Sequence, residues 1–193
     1  MSVYAGKFLR VDLSSGEWQE ESIDEQHVKQ WLLGSGFAAK LFYEEMDPAL
    51  DPLDPASPLL IFNGVLVGTF APTGCRTSFC GRSPLTGIWN ESNMGSHWGA
   101  ELRSTGYDGL VITGKAEKPV YLYINDLEGI IELRDAGHLW GKTYFEAADT
   151  VLAETDPKGK VIGIGPAGEN LVKMAGIMSG PSDYVRAAAR GGM

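Results

Sequence analysis

One order of sequence patterns occurs twice along the chain, and this duplication limits the available folds more than any other feature. Each copy has two β-rich segments joined at a glycine turn, then a helix pattern, then an apolar run ending in a glycine-rich loop. The turns contain Gly16 and Gly129, and the apolar runs are "LLIFNGVLVG" and "KVIGIG". Alternating apolar residues indicate strands, and spacings of three and four indicate helices. We therefore predict an α+β fold with two β-sheets from a duplicated β-β-α-β unit and helices on the outer faces.

Capping residues mark the predicted helix starts in both copies. Asp24 is an N-cap candidate for a helix with Val28, Trp31 and Leu32 on one face. Thr143 and Glu146 form the capping-box pattern at the start of the second copy's helix. The segment "MDPALDPLDPASP" contains three Asp-Pro pairs, and proline disfavours helical backbone in the residue before it. This segment is therefore predicted to be a surface loop.

The turn "GIGPAGEN" fits the dinucleotide-binding pattern G-x-G-x-x-G between Gly163 and Gly168. In that motif a helix begins at the turn, and an acidic residue follows at the end of a second parallel strand. The interval from Gly168 to Asp183 is too short for a helix, a turn and a strand, and Asp183 lies in the turn-like "SGPSD". A strand-to-strand corner is therefore favoured over a nicotinamide or flavin site.

Charge and composition exclude several classes of partner. The chain has 193 residues, a formal net charge of −9 and no cluster of lysine and arginine, which disfavours nucleic acid. No apolar run is long enough for a membrane span, and no signal-peptide pattern is present. Cys75 and Cys80 are too few for a disulfide scaffold. We expect a cytoplasmic protein that binds neither nucleic acid nor membrane.

Residues with the usual catalytic chemistry are sparse. His27, His97 and His138 lie in unrelated segments, and we interpret them as surface or satisfied residues. Cys75 and Cys80 would face opposite sides of a strand, and we interpret both as structural. No H-x-x-H, C-x-x-C or H-E-x-x-H pattern is present, and no pair of acids stands out as general acid and base. The chain itself is therefore predicted to carry no catalytic residue.

Loops rich in glycine, each with one or two polar or basic residues, are the remaining candidates for a site. Arg76 follows "APTGC", Asn93 and Gly95 precede a helix predicted from Ser96, and Arg186 lies in "VRAAARGGM". Amides at a helix N-terminus attract anions, and arginine binds phosphate through two parallel hydrogen bonds. The pattern indicates a phosphate-bearing or other planar anionic ligand held by several loops. Ordinary turns with surface arginines are the alternative at this point.

Segments from end to end of the chain resemble the N-terminal domain of tungsten-containing aldehyde ferredoxin oxidoreductases. They are "GKFLRVDLSSG", "EEMDPALDPLDP", "APTGCR", "SPLTG", "GAELRSTGYDGLVITGKAEKPVYLYI", "RDAGHLWGK", "IGPAGENLVKMAGIM" and "RAAARGGM". The resemblance implies that residues 1–193 form a domain on which a tungsten bis-pyranopterin cofactor lies. It also implies oxidation of aldehydes to carboxylic acids with ferredoxin as electron acceptor.

The resemblance also assigns residues to the cofactor. Arg76 would lie between a pterin and an iron–sulfur cluster and complement the charge of both. Asn93 and Ala187 would offer main-chain carbonyls to a magnesium ion that bridges the pterin phosphates, because magnesium prefers oxygen ligands. The further contacts to phosphate or pterin edges fall on Gly95, Arg186, Ala189 and Arg190. Ala189 and Cys75 both stand where the family often has glycine.

In the family the ligands of a 4Fe-4S cluster, the pterin-binding aspartates and the acid–base residues lie in later domains. The family's "RGG" run is cut at Met193, so we interpret the chain as an N-terminal fragment that is inactive alone. The expected partners are ferredoxin or another redox protein and the remaining domains of the same enzyme, and a homodimer is compatible with the resemblance. Two alternatives stay open. One is the active-site subunit of a tungsten-dependent aromatic acyl-CoA reductase, which this domain also resembles, and the other is a non-catalytic binding module.

Overall fold

The computed structural model describes residues 3–181, 184–189 and 191–192. Along the chain the elements are β1 (Lys7–Asp12), β2 (Glu17–Ser22), α1 (Glu25–Trp31), α2 (Ser35–Glu45), β3 (Leu59–Asn63), β4 (Arg76–Arg82), β5 (Trp89–Gly95), α3 (His97–Ser104), β6 (Gly109–Thr113), β7 (Val120–Asn125), β8 (Ile130–Asp135), a short 3₁₀ helix (Gly137–Leu139), α4 (Tyr144–Glu154), β9 (Ile162–Gly163), α5 (Pro166–Glu169), β10 (Ile177–Ser179) and β11 (Arg186–Ala188). None of the helices in the described ranges is long and apolar enough to cross a membrane.

The structure has the predicted α+β class and the duplicated order of elements. β1 and β2 form an antiparallel hairpin, as do β7 and β8, and each hairpin is followed by helix and then strand. The first hairpin belongs to a six-stranded sheet of order β2-β1-β6-β3-β4-β5. The second hairpin is a separate sheet, and β9 joins a third sheet of order β11-β10-β9, so the described residues form three sheets where two were predicted. Side chains of the second hairpin pack against the main core, which explains why it does not extend the large sheet at an edge.

The central strands of the six-stranded sheet, β1, β3, β4 and β6, have buried residues on both faces. On one face, Phe8, Phe37 and Phe62 form edge-to-face ring contacts between the sheet and α2, with centroid distances of 5.1–6.1 Å. On the other face, Phe79 and Met94 are buried in a cluster that also contains residues of α3, β10 and β11. Successive strand residues alternate between these two clusters, which is the pattern of a sheet between two packed layers.

The predicted helix caps are present, but one predicted apolar face is wrong. The Asp24 carboxylate accepts a hydrogen bond from the Gln26 amide at 2.7 Å, and Thr143 and Glu146 form a complete capping box. Trp31 and Leu32 do not line a buried face, because they are 48% and 62% exposed. The helix ends at Trp31, and Leu32 has a left-handed φ of +59° that turns the chain away.

The turn "GIGPAGEN" is a strand-to-strand corner. β9 pairs antiparallel with β10, with Gly163 opposite Met178, and the residues between them include the single helical turn α5, which has Pro166 as its first residue. A dinucleotide-binding turn would need a longer helix and a parallel second strand. Asp183, the acid of the rejected motif, lies outside the described residues.

The Asp-Pro segment is a surface loop, as predicted. Asp47, Asp51 and Asp54 each accept a hydrogen bond at 2.8 Å from the backbone amide two residues further on. Arg82, at the end of β4, donates to the carbonyls of Pro48 and Leu50 at 2.9 and 2.6 Å. These contacts hold the loop against the end of the sheet that lies opposite Arg76.

Candidate functional site

The start of β4 and the end of β5 bring three of the predicted site residues together. Arg76 lies opposite Gly95 in the antiparallel ladder, and its Nη1 donates to Asn93 Oδ1 at 3.2 Å. A Cβ atom on Gly95 would lie 3.6 Å from Arg76 Cδ, from Arg76 Nε and from Cys75 Sγ. Gly95 therefore leaves a shallow opening bordered by a guanidinium group and a thiol. Arg76, Asn93 and Cys75 are all exposed.

β11 lies beside β5 and adds Ala187 to the same region. Met94 and Ala188 are 1% and 0% exposed, and they belong to the same core cluster. Because side chains alternate along a strand, Asn93 and Gly95 face away from that cluster, and so does Ala187. The two residues predicted to offer carbonyls to one metal ion, Asn93 and Ala187, thus lie on neighbouring strands.

The closest described neighbours of the opening at Gly95 do not include the other predicted residues near the end of the chain. Arg186 is exposed, lies on the Ala188 side of β11, and donates at 3.0 Å to the carbonyls one and two residues before it. Ala189 is exposed, and a Cβ atom on Gly176 would lie 3.0 Å from its Cα, so the backbone there is closely packed. Arg190 lies outside the described residues. These assignments stay predictions.

Helix α3 begins directly beside the opening. Ser96 is its N-cap, and the Ser96 hydroxyl accepts a hydrogen bond from the Trp98 amide at 3.2 Å. The positive end of the helix dipole therefore lies next to Gly95, where it favours an anion. The sequence predicted a helix from Ser96, which is one residue before the observed first residue, His97.

A buried polar network holds α3 against β3 and β4. Asn63 Nδ2 donates to the Gly99 carbonyl at 2.7 Å, and Thr77 Oγ1 donates to Asn63 Oδ1 at 2.8 Å. Asn63 and Thr77 are 0% and 1% exposed. A Cβ atom on Gly99 would lie 2.2 Å from Thr77 Oγ1 and 2.6 Å from Asn63 Oδ1, so the helix has no room for a larger residue. This network fixes Thr77, which follows Arg76 directly in the chain. No sequence motif predicts the network.

The loop of residues 64–75 leads into Arg76 and has an unusual backbone. The Gly64 amide donates to the Arg76 carbonyl at 3.0 Å, which joins the two ends of the loop. Thr73 has a φ of +60°, a left-handed conformation that costs on the order of 1 kcal/mol in a residue other than glycine. Phe70, near the tip, has a fully exposed side chain. Strained backbone of this kind is concentrated at functional sites.

Arg103 and Asp108 form a buried ion pair behind this loop. Arg103 Nη2 lies 2.7 Å from Asp108 Oδ1, and their side chains are 10% and 0% exposed. The pair escaped the sequence analysis, although an arginine at a helix end followed closely by an acid before an apolar strand is visible in "LRSTGYDGLV". Burial lowers the pKa of Arg103, and the nearby Asp108 carboxylate opposes that change. Arginine stays protonated under these conditions because its ordinary pKa is so high.

The two cysteines have opposite environments. Cys80 is fully buried in β4, and burial raises its thiol pKa to about 12. This burial agrees with the interpretation of Cys80 as a structural residue. Cys75 is exposed at the opening, and both thiols are free. Across the described ranges, no group of three or more histidine, cysteine or acidic residues could hold a metal ion.

Comparison with known proteins gives matches over nearly the whole chain. A family model described as aldehyde ferredoxin oxidoreductase, N-terminal domain, matches residues 8–193. Proteins named tungsten-containing aldehyde ferredoxin oxidoreductase, from Pyrococcus furiosus and Thermococcus kodakarensis, are 50% and 47% identical over 189 residues, or 97% of this chain. The chain spans 30% of the length of each.

A solved structure shares the fold. It is the active-site complex BamBC of benzoyl-coenzyme A reductase with 1,5-dienoyl-CoA, which superimposes with a TM-score of 0.93 and 38% sequence identity. The match covers 99% of this chain and 28% of that chain. A likeness at this level of identity and coverage supports the α+β class assigned above.

Proposed function

The chain belongs to the aldehyde ferredoxin oxidoreductase family, as its N-terminal domain, and from that membership we propose that it forms the floor on which a tungsten–pterin cofactor binds. The observation that carries this proposal is the convergence of Arg76, Asn93 and Gly95 beside β11. The activity proposed for the whole protein is oxidation of aldehydes to carboxylic acids, with ferredoxin as electron acceptor.

The residues at the opening fit an anionic, planar group. Gly95 has no side chain, and the space its Cβ would fill is bordered by Arg76 and Cys75. The exposed Arg76 guanidinium supplies a fixed positive charge, and the Asn93 side chain orients it by accepting a hydrogen bond. Arginine in this setting suits phosphate and the edge of a heterocycle. When bound, the tungsten centre would supply oxygen-atom or hydroxide transfer and accept electrons.

A magnesium ion is proposed between the carbonyls of Asn93 and Ala187. The support is that β5 and β11 lie side by side, with Met94 and Ala188 sharing one core cluster. Magnesium is bound through oxygen ligands, and main-chain carbonyls are the oxygen ligands that this chain would contribute. Contacts from Gly95, Arg186, Ala189 and Arg190 to phosphate or pterin edges belong to the same proposal.

The rest of the enzyme is proposed from the family. A 4Fe-4S cluster, whose ligands would come from other domains, would lie on the far side of Arg76 from the pterin. Residues 1–193 would then act as one tungstopterin-binding domain that contacts those domains and, through them, ferredoxin. We also propose a cytoplasmic location, because two free cysteines are typical of a reducing compartment.

A second candidate function is the reduction of an aromatic acyl-CoA. The TM-score of 0.93 to the benzoyl-coenzyme A reductase complex favours it. The two candidates differ in the direction of electron flow. Aldehyde-dependent reduction of ferredoxin or a viologen dye supports the first, whereas oxidation of reduced dye that depends on an aromatic acyl-CoA supports the second.

Replacing Gly95 with alanine tests the cofactor floor. The new Cβ would have ordinary 3.6 Å contacts with Arg76 and Cys75, so the free energy of unfolding should change by less than about 0.5 kcal/mol. The methyl group would occupy the opening. We expect the tungsten and pterin content of the purified holoprotein to fall by about tenfold, equivalent to about 1.4 kcal/mol of binding energy. Metal analysis and the fluorescence of released, oxidised pterin measure this.

Gly163→Ala is the matched control, because its new Cβ would also have an ordinary 3.6 Å contact, but with the Tyr144 ring in place of Arg76 and Cys75. It should retain normal tungsten content. Arg76→Ala should resemble Gly95→Ala in cofactor loss and in near-normal stability. Full tungsten content in both Gly95→Ala and Arg76→Ala would refute the proposed site.

A further inference from the structure

The Arg103 side chain gathers carbonyl groups from two distant parts of the chain. Its Nη1 lies within hydrogen-bond distance of three carbonyl oxygens, those of Val3, Val65 and Val67, at 2.9, 2.8 and 2.7 Å. Its Nη2 donates to the Gly64 carbonyl at 3.2 Å. Three of these four acceptors belong to the start of the 64–75 loop. A planar guanidinium group can serve several acceptors at fixed angles, which an ammonium group cannot.

The loop also packs flat against the stem of the arginine. A Cβ atom on Gly68 would lie 3.4 Å from Arg103 Cδ, and Gly68 has a φ of +74°. Gly68, which follows the residues whose carbonyls bind Arg103, thus packs against the same Arg103 side chain. Glycine suits position 68 because the backbone there lies close to the Arg103 side chain and has a left-handed conformation.

Asp108 fixes the guanidinium from the opposite side. Asp108 Oδ1 forms an ion pair with Arg103 Nη2 at 2.7 Å, and Oδ2 accepts a hydrogen bond from the Gly6 amide at 2.6 Å. Asp108 is 0% exposed. Moving Arg103 and Asp108 apart would leave two uncompensated charges in the interior, which is costly. The ion pair therefore holds the Arg103 guanidinium in place.

The path from Arg103 to the opening is short. Gly64, whose carbonyl Arg103 binds, donates its amide to the Arg76 carbonyl at 3.0 Å. A Cβ atom on Gly64 would lie 3.2 Å from that same oxygen, so the two backbones are in close contact. Any shift of residues 64–67 therefore moves the backbone of Arg76.

We propose that Arg103 is a positioning residue, which holds residues 64–67 so that Arg76 is presented correctly at the cofactor floor. This inference rests on the proposed function for its second half, the effect on cofactor retention. Its first half, control of the loop and of Arg76, concerns this chain alone. Arg103 does not border the opening at Gly95, so it acts through the loop.

The test compares Arg103→Lys with Arg82→Lys. Lysine keeps the positive charge opposite Asp108 but loses the planar fork. Arg82 is a matched control, because it also donates to loop carbonyls, those of Pro48, Leu50 and Gly87, but lies at the other end of β4. Hydrogen exchange of peptides covering residues 64–76 is measured in the cofactor-free protein, and tungsten content in the holoprotein.

For Arg103→Lys we expect hydrogen exchange at residues 64–76 to accelerate at least about tenfold, because the free energy needed to open the loop falls. We also expect the tungsten content to fall. Arg82→Lys should leave both unchanged, even where it lowers the melting temperature. Exchange at wild-type rates in Arg103→Lys would overturn the inference. Faster exchange with full tungsten content would also overturn it, since Arg103 would then be structural only.

A second variant covers the case in which Arg103→Lys does not fold. Gly68→Ala presses a methyl group against the Arg103 stem and strains the same loop, while the ion pair with Asp108 stays. It should show the same accelerated exchange and tungsten loss, and wild-type values in both would contradict the inference. Failure of the proposed function is recognised separately: Gly95→Ala and Arg76→Ala would then keep full tungsten, while the exchange at residues 64–76 still reports on Arg103.

Discussion

At the scale of single residues, the candidate site depends on what Gly95 lacks and on what Arg76 offers. The ladder places Arg76 opposite Gly95, and the missing side chain leaves the guanidinium accessible from one side. Cys75 shares this border, although the resemblance gave it no role beyond replacing a common glycine. An exposed thiol at that position is a built-in reporter of whether the opening is covered.

Alkylation of Cys75 should therefore depend on the cofactor. Cys75 is exposed, whereas Cys80 is 0% exposed and has a pKa of about 12, so only Cys75 should react with iodoacetamide near pH 8. In the holoprotein we expect its modification to slow at least about tenfold, because a ligand in the opening excludes the reagent. Mass spectrometry of the peptide containing Cys75 measures the rate.

Unfolded protein provides the control, since both thiols of this chain should then react. Equal rates for Cys75 in the cofactor-free protein and the holoprotein would show that the ligand does not cover this part of the floor. That outcome would contradict the placement of the cofactor beside Gly95.

At the scale of elements, helix α3 links strands β3 and β4 to the loop that leads into Arg76. Its N-cap follows Gly95 directly, and its third residue, Gly99, meets Asn63 and Thr77 on β3 and β4. Arg103 at its other end binds the 64–75 loop. One short helix therefore contacts β3, β4 and the loop that leads into Arg76.

Gly99→Ala should destabilise the protein, which is the opposite of what helix propensity predicts. Alanine normally stabilises a helix interior by up to about 1 kcal/mol relative to glycine. Here the new Cβ would lie 2.2 Å from Thr77 Oγ1, so the helix must move away from the sheet. Overpacking of this kind typically costs about 1–3 kcal/mol. Urea unfolding measures the free energy, and Gly163→Ala serves again as the control with room for a methyl group. A stabilised Gly99→Ala variant would disprove the close packing.

Local signals predicted the elements of this fold, and long-range contacts decided the rest. The hairpins at Gly16 and Gly129, and the caps at Asp24 and Thr143, follow from short-range hydrogen bonding and turn chemistry, so the sequence alone identified them. Sheet membership depends on which edges meet, and no pattern within the second unit shows that β9 pairs with β10. Trp31 and Leu32 were assigned to a buried face because their spacing from Val28 fits a helix, but the helix ends at Trp31 and the chain turns away at Leu32.

The site was predictable to a different extent. Arg76, Asn93 and Gly95 were predicted to lie in loops suited to an anion, and the resemblance gave them a ligand. The loop prediction is wrong, because Arg76 begins β4 and Asn93 and Gly95 lie in β5, where the antiparallel ladder pairs the two strands. The buried groups that support them, Asn63 and Arg103, were missed. Their partners are main-chain carbonyls of residues distant in sequence, and such contacts leave no motif.

At the scale of the whole molecule, burial changes the titration of groups in different layers, in strand β4 of the large sheet and in helix α4. The pKa of Cys80 rises from 9.0 to about 12 through burial, and that of Tyr144 rises from 10.0 to about 12, also mainly through burial. In the unfolded chain these groups would lose their protons near their unperturbed pKa values of 9.0 and 10.0. Folding thus keeps protons on groups that the unfolded chain would release in alkaline solution.

Alkaline pH should therefore destabilise the protein, and Cys80 should account for a defined share. A group whose pKa is raised in the folded state contributes its full stabilisation below the unfolded value, here 9.0, and loses it as pH rises toward about 12. Each such group removes about 1.4 kcal/mol of unfolding free energy per pH unit within that window. Under reducing conditions, the unfolding free energy of the wild type should fall more steeply with pH than that of Cys80→Ala between about pH 9 and pH 11. The difference between the two slopes should reach about 1.4 kcal/mol per pH unit. The variant will be less stable at pH 7 because it leaves a cavity, so the comparison concerns slopes and not absolute values. Parallel profiles for the two proteins would mean that the thiol titrates normally and that the sheet is open to water at Cys80.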